Sequence, residues 1–269
     1  MQTRIPTPRG ELFAQVWNAH KPASEVALVM LHDSLGCVDM WRDFPQQLAH
    51  ALNCRVIAYD RLGFGRSDTQ HQKIASNFID TEPGQDFAHV LAHFDIKRFV
   101  VLGHSVGGVM AVQVAAQYPQ QCLAAVCISA IVFNEDITVA SVTQAKTVFQ
   151  DPAQRGRLAK YHAGNTQWVL DSWTETWLSP AFANWSLLPV LKQVVVPLLW
   201  IQGRADEYAT TRHAEYVLQT ATKNRCQIDL FHDVGHFPHR ERPLEVLQKI
   251  TCFVTANTNP SSLNEVEYV

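Results

Sequence analysis

The feature that most limits how this chain can fold is a series of short apolar runs at residues 26–31, 55–59, 99–102, 124–129 and 196–201. Each is shorter than an ordinary helix and does not alternate polar with apolar positions, as expected of strands buried on both faces of a parallel sheet. Between the runs, apolar side chains recur at helical spacing. Trp41, Phe44, Leu48 and Leu52 do so within 39–52, and further helices are expected at 85–94 and at 106–118, the latter stopped by Pro119. Strand followed by helix, repeated, predicts an α/β fold with a doubly wound, mostly parallel twisted sheet and helices on both faces. Residues 11–17 and 226–231 read as an early and a late strand.

From 131 to 192 the alternation stops. The segment is helical in pattern and holds Trp168, Trp173, Trp177 and Trp185. The expected organisation is a core at 1–130 and 193–257, a helical insertion at 131–192, and a polar, aperiodic tail at 258–269. Open α/β sheets bind ligands beyond the carboxyl ends of their strands, so an insertion there forms a lid. Trp173 and Trp177 lie one helical turn apart, which also suits an inward stripe of the lid's own core. Trp168, Trp173 and Trp177 are the candidate pocket residues.

With 269 residues the chain is long enough for one substantial core, and a net charge of −3 with no blocks of like charge argues against a nucleic-acid partner. Residues 1–10 lack an apolar export segment, and no apolar run reaches the length of a bilayer. A soluble, cytoplasmic protein acting on a small molecule is expected, with no membrane partner and no indication of oligomeric state. The six cysteines lie singly, without zinc-ligand spacing, and read as reduced, mostly buried thiols; Cys37 stands apart because it directly follows residues 32–36, the segment after the 26–31 strand. His232, His236 and His239 cluster, but no acidic or cysteine group with ligand spacing accompanies them, so neither a metal nor a cofactor is expected.

Gly103-His104-Ser105-Val106-Gly107 joins the 99–102 strand to a helix. A serine on such a turn stands out over the sheet, and the helix N-terminus presents N–H groups, that of Val106 among them, to charge developing on a substrate oxygen. Asp206 follows the 196–201 strand in Gln202-Gly-Arg-Ala-Asp206, and His236 follows the 226–231 strand in Asp233-Val-Gly-His236. A serine hydroxyl needs a base, which an imidazole supplies near neutral pH, and a carboxylate on the far ring nitrogen fixes the tautomer. Glu207, Asp229 and Asp233 are competing acids.

Serine, acid and histidine in that order resemble the α/β-hydrolase superfamily, and the likeness runs to about Asn257. His32-Asp33-Ser34-Leu35-Gly36 after the 26–31 strand is similar to the family's oxyanion segment, and residues 60–68 to its glycine-rich loop. The resemblance implies Ser105 as nucleophile, His236 as base, Asp206 as its partner, and the N–H groups of Ser34 and Val106 as oxyanion donors. Asp206 is preferred over the competing acids because it alone sits beyond a strand with the family's preceding Gly-x-x pattern, here Gly203-Arg204-Ala205. His32 and His104 become supporting residues, with His32 and Asp33 beside the substrate. Asp33 departs from the family's glycine. A carboxylate aimed into the hole would repel an oxyanion, so the side chain is expected to turn away and bond local backbone.

The function implied is a carboxylic ester hydrolase cleaving a small, largely apolar ester or related acyl substrate through an acyl-enzyme. The alternatives are a carbon–carbon bond hydrolase, a cofactor-independent oxygenase, lyase or perhydrolase, and a non-catalytic receptor on the same scaffold.

Overall fold

The computed structural model describes residues 1–22, 25–221 and 226–258, so the expected tail lies, beyond Thr258, outside the described residues. Its strands are β1 (Gln2–Thr7), β2 (Gly10–Trp17), β3 (Ala27–Leu31), β4 (Arg55–Tyr59), β5 (Phe99–His104), β6 (Cys122–Ile128), β7 (Leu198–Gly203) and β8 (Cys226–Phe231). They form one sheet in the order β1-β2-β4-β3-β5-β6-β7-β8. β1 and β2 pair antiparallel, β2 runs antiparallel to β4, and every pairing from β3 to β8 is parallel.

The helices are α1 (Phe44–Leu52), α2 (Phe78–Thr81), α3 (Asp86–His93), α4 (Val106–Gln117), α5 (Asp136–Val148), α6 (Pro152–His162), α7 (Thr166–Trp177), α8 (Pro180–Ala183), α9 (Leu188–Leu191), α10 (Arg212–Thr220), α11 (Pro238–Glu241) and α12 (Pro243–Thr258). Successive side chains of the parallel strands enter opposite apolar layers. Leu28, Met30, Val100 and Leu102 pack with Phe44 and Leu48 of α1 and with Val246 and Ile250 of α12. Val29, Leu31 and Val101 pack with Phe87 of α3, Val109 of α4 and Val217 of α10. Burying one such side chain contributes about 1.5–3 kcal/mol, so strands apolar on both faces require both layers of helix.

Two differences from the sequence reading have simple causes. β1 was not expected because Ile5 is its one buried side chain, which leaves no alternating signal. The 39–52 helix is broken: Val38–Trp41 forms a 3-10 turn, Arg42 takes φ 55°, and α1 starts only at Phe44. Its apolar face nevertheless points inward, with Trp41, Phe44 and Leu48 buried. All six cysteines are free; Cys37, Cys122 and Cys127 are buried, Cys54 and Cys226 half-buried, and Cys252 exposed.

The chain runs from β3 to β4 on one side and returns to β5 on the other side of β3. This reversal opens a crevice at the carboxyl ends of β3 and β5, where open α/β sheets bind ligands. Helices α5 to α9 all fall between β6 and β7. No helix among the described residues is long and apolar enough to cross a membrane.

Candidate active site

Ser105 follows β5 directly and caps α4 with φ 55° and ψ −123°, a left-handed conformation that non-glycine residues seldom adopt. Such a conformation costs on the order of 1–3 kcal/mol and persists only where the surroundings enforce it. Here the Ser105 N–H donates to Ile128 O at 2.8 Å, which ties the turn to the end of β6. The flanking glycines are dictated by close approach. A Cβ on Gly103 would lie 1.9 Å from Gly107 O, and one on Gly107 would lie 2.1 Å from Leu31 O.

His236 and Asp206 meet beside this turn. The His236 Nδ1 lies 2.9 Å from both Asp206 carboxylate oxygens, so Nδ1 carries the proton and Nε2 keeps its lone pair. Asp206 Oδ1 also accepts from Tyr208 N–H at 2.9 Å. Burial pushes the His236 pKa down, but the charge and hydrogen bond of Asp206 outweigh it, and the net direction is upward. The acid's loop is strapped from outside: Thr138 and Ser141 of α5 donate to the carbonyls of Tyr208 and Glu207 at 2.6 and 2.5 Å, and Glu135 accepts from Thr210 N–H at 2.9 Å. Ser105 and His236 line one cavity, but no hydrogen bond joins the Ser105 hydroxyl to the imidazole. Such contacts are often loose without substrate.

Ser34 and Val106 line the same cavity, and among the described residues neither backbone N–H donates to a protein acceptor. Asp33 lies between local backbone and a histidine: Oδ1 accepts from Leu35 N–H at 2.8 Å, and Oδ2 is 3.3 Å from His104 Nδ1. His32, expected beside the substrate, is instead buried behind the loop. Its Nδ1 donates to Asp33 O at 2.8 Å and its Nε2 accepts from Arg61 N–H at 3.1 Å, so both ring nitrogens are consumed by backbone.

The cavity, of about 280 Å³, is walled largely by apolar side chains including Ile131, Val142, Phe149 and Leu158. Trp173 and Trp177 line it as expected; Trp168 does not. Trp168 packs on the glycine-rich loop, where a Cβ on Gly63 would come 2.4 Å from its ring, and its Nε1 donates to Gln72 O at 2.8 Å. A helical stripe turns neighbouring side chains to different faces, and Trp168 lies off the face shared by Trp173 and Trp177. Cys37 is absent from the lining, and burial, reinforced by Asp60, pushes its thiol up to about 12.

Three residues escaped the sequence reading. Tyr208 and Phe237 place rings 4.8 and 5.4 Å from the His236 ring, and their adjacency to Asp206 and His236 was the available signal. His162, at the end of α6, accepts from Gly65 N–H at 2.9 Å and donates to Leu35 O at 2.8 Å, bridging the glycine-rich loop and the Ser34 loop. Its partners lie 97 and 127 residues away, beyond any local pattern.

A doubly wound sheet with a strained serine after its central strand and an acid and histidine after later strands defines the α/β-hydrolase class. A family model for the alpha/beta hydrolase fold matches residues 26–187, and the chain belongs to that family. The Mycobacterium tuberculosis protein Rv2715 is 24% identical over 274 residues, covering 89% of this chain and 78% of its own. The enol-lactonase of Burkholderia xenovorans superposes with a TM-score of 0.73 at 18% identity, covering 94% of this chain and 100% of its own. A carboxylesterase structure from Nitrososphaera gargenis gives 0.75 at 18% identity, covering 95% and 99%. At these identities the solved structures establish the fold alone.

Proposed function

We propose that the protein is a serine hydrolase that cleaves a small, largely apolar ester or related acyl substrate through an acyl-enzyme. The observation that carries this reading is the Asp206–His236 pair, which leaves Nε2 as a free base in the cavity that Ser105 also lines. Ester and lactone hydrolysis are the activities named for two of the superposed proteins, which agrees with this choice.

In the proposed reaction the Ser105 hydroxyl gives its proton to His236 Nε2 as its oxygen attacks the substrate carbonyl carbon. Asp206 holds the imidazole's tautomer and stabilises the imidazolium. The N–H groups of Ser34 and Val106 receive the oxyanion, each contributing about 3 kcal/mol to transition-state stabilisation. His236 then protonates the leaving alcohol. A water, deprotonated by the same imidazole, releases the acid. The segment 131–192 acts as the cap: Val142, Leu158, Trp173 and Trp177 supply an apolar wall to the acyl group, and α5 straps the Asp206 loop.

Short-chain p-nitrophenyl esters test the reading. Wild type is expected to show hydrolysis with a burst of p-nitrophenol, and Ser105→Ala is expected to lower kcat by at least about 10³-fold with the fold intact. Turnover that survives Ser105→Ala but is abolished by His236→Ala contradicts the acyl-enzyme and favours the cofactor-independent oxygenase, lyase or perhydrolase class. Preference for ring-cleavage diketones over esters, with Ser105 still required, favours carbon–carbon bond hydrolysis.

A further inference from the structure

His104 precedes the strained serine, and both its ring nitrogens face oxygens that in their ordinary state only accept. Nε2 is 2.8 Å from the His236 main-chain carbonyl oxygen, and Nδ1 is 3.3 Å from Asp33 Oδ2. A neutral imidazole has one N–H, so it would satisfy one of these oxygens and point a lone pair at the other. The imidazole side chain is 1% exposed and the carboxylate 14%, so solvent gives little relief. One additional proton removes the conflict. On the imidazole it makes both nitrogens donors.

We infer that Asp33 and His104 hold one proton between them through neutral pH, forming an imidazolium–carboxylate pair that cancels the Asp33 charge beside Ser34 and Ser105. The proton count stands on geometry alone. Its catalytic consequence rests on the serine-hydrolase reading, because an oxyanion between Ser34 and Val106 would otherwise develop next to a carboxylate with no protonated ring paired to it. The pair thereby accounts for an aspartate where the resembling family has glycine. It also makes Asp33 and His104 positioning residues: Asp33 Oδ1 fixes the Leu35 N–H, and the His104 Nε2–H fixes the His236 carbonyl.

The other titratable and charged groups around the pair are His32, Arg61, His162, Tyr208, His236, His239 and Arg240. Burial pushes Asp33 up, but the hydrogen bond and charge of His104 and the charge of Arg240 bring it well below the ordinary carboxylate range. Burial pushes His104 down and the Asp33 contact offsets it only in part, so the net direction for the ring is downward. What calls for the second proton is the pair of acceptor oxygens at 2.8 and 3.3 Å facing its two nitrogens.

Nitrogen-15 NMR of histidine-labelled protein tests the count directly, with His104 assigned from its missing signals in His104→Gln. At neutral pH both His104 ring nitrogens are expected at imidazolium shifts in wild type, and Asp33→Asn is expected to convert the ring to one neutral tautomer. A neutral, singly protonated His104 in wild type overturns the inference. Kinetics test the consequence: His104→Gln is expected to lower kcat on p-nitrophenyl acetate by about tenfold with KM little changed, and adding Asp33→Asn to restore most of it. A double variant no faster than His104→Gln overturns the charge-cancelling role. If His104→Gln does not fold, the remaining histidine variants supply the assignment by elimination, and the wild-type shifts decide the matter. If hydrolysis proves independent of Ser105, the serine reading fails while the nitrogen shifts still settle the proton.

Discussion

At the scale of single residues, the site depends on how His236 is held. Its Nδ1 sits 2.9 Å from both Asp206 oxygens, and that carboxylate raises its pKa against the effect of burial. A base must be neutral to accept a proton, so a raised pKa moves the acid limb of kcat/KM upward in pH from histidine's ordinary value. Asp206→Asn removes the raising charge. The acid limb is therefore expected to move to lower pH, while kcat falls by roughly 10³ to 10⁴-fold because the amide favours the wrong tautomer. An unchanged limb in the pH–rate profile would show that another group is the base. Ser105, Asp206 and His236 were legible because each stands just past a strand end, in the order the resembling family uses. The surroundings of Asp33 were not, since His104 reaches it across 71 residues of chain.

At the scale of elements, the turn from β5 into α4 and the segment between β6 and β7 carry the argument. Gly107 lets α4 approach the end of β3 so closely that an added Cβ meets Leu31 O at 2.1 Å and His32 O at 2.6 Å. Backbone cannot step aside as a side chain can. Gly107→Ala is expected to destabilise the fold by about 3 kcal/mol, whereas Gly156→Ala in α6, with nothing within 4 Å of the new Cβ, is expected to stabilise by up to about 1 kcal/mol. Denaturant unfolding of the two variants checks both signs; a neutral Gly107→Ala would mean that this contact does not shape the turn. The elements most legible in the sequence were β3 to β7, whose both-sided burial leaves unbroken apolar runs. β1 was hidden because only one of its residues is buried, and the orientation of Trp168 because it depends on which face α7 presents.

At the scale of the whole molecule, the reversal of strand order about β3 explains why these groups meet at all. It brings the loop after β3 and the turn after β5 side by side, and β7 and β8 then deliver Asp206 and His236 to the same edge. The alternating rhythm of strand and helix made this architecture legible. It could not disclose the cavity, whose walls come from α5, α6 and α7 and depend on ties such as His162 to Gly65 and Leu35. The central proposal is that the folded molecule activates one serine among all its hydroxyls. A fluorophosphonate probe at neutral pH, read by peptide mass spectrometry, tests this most directly. Stoichiometric modification of the peptide containing Ser105, lost in His236→Ala, is the expected result; native protein in which Ser105 stays unmodified would contradict it.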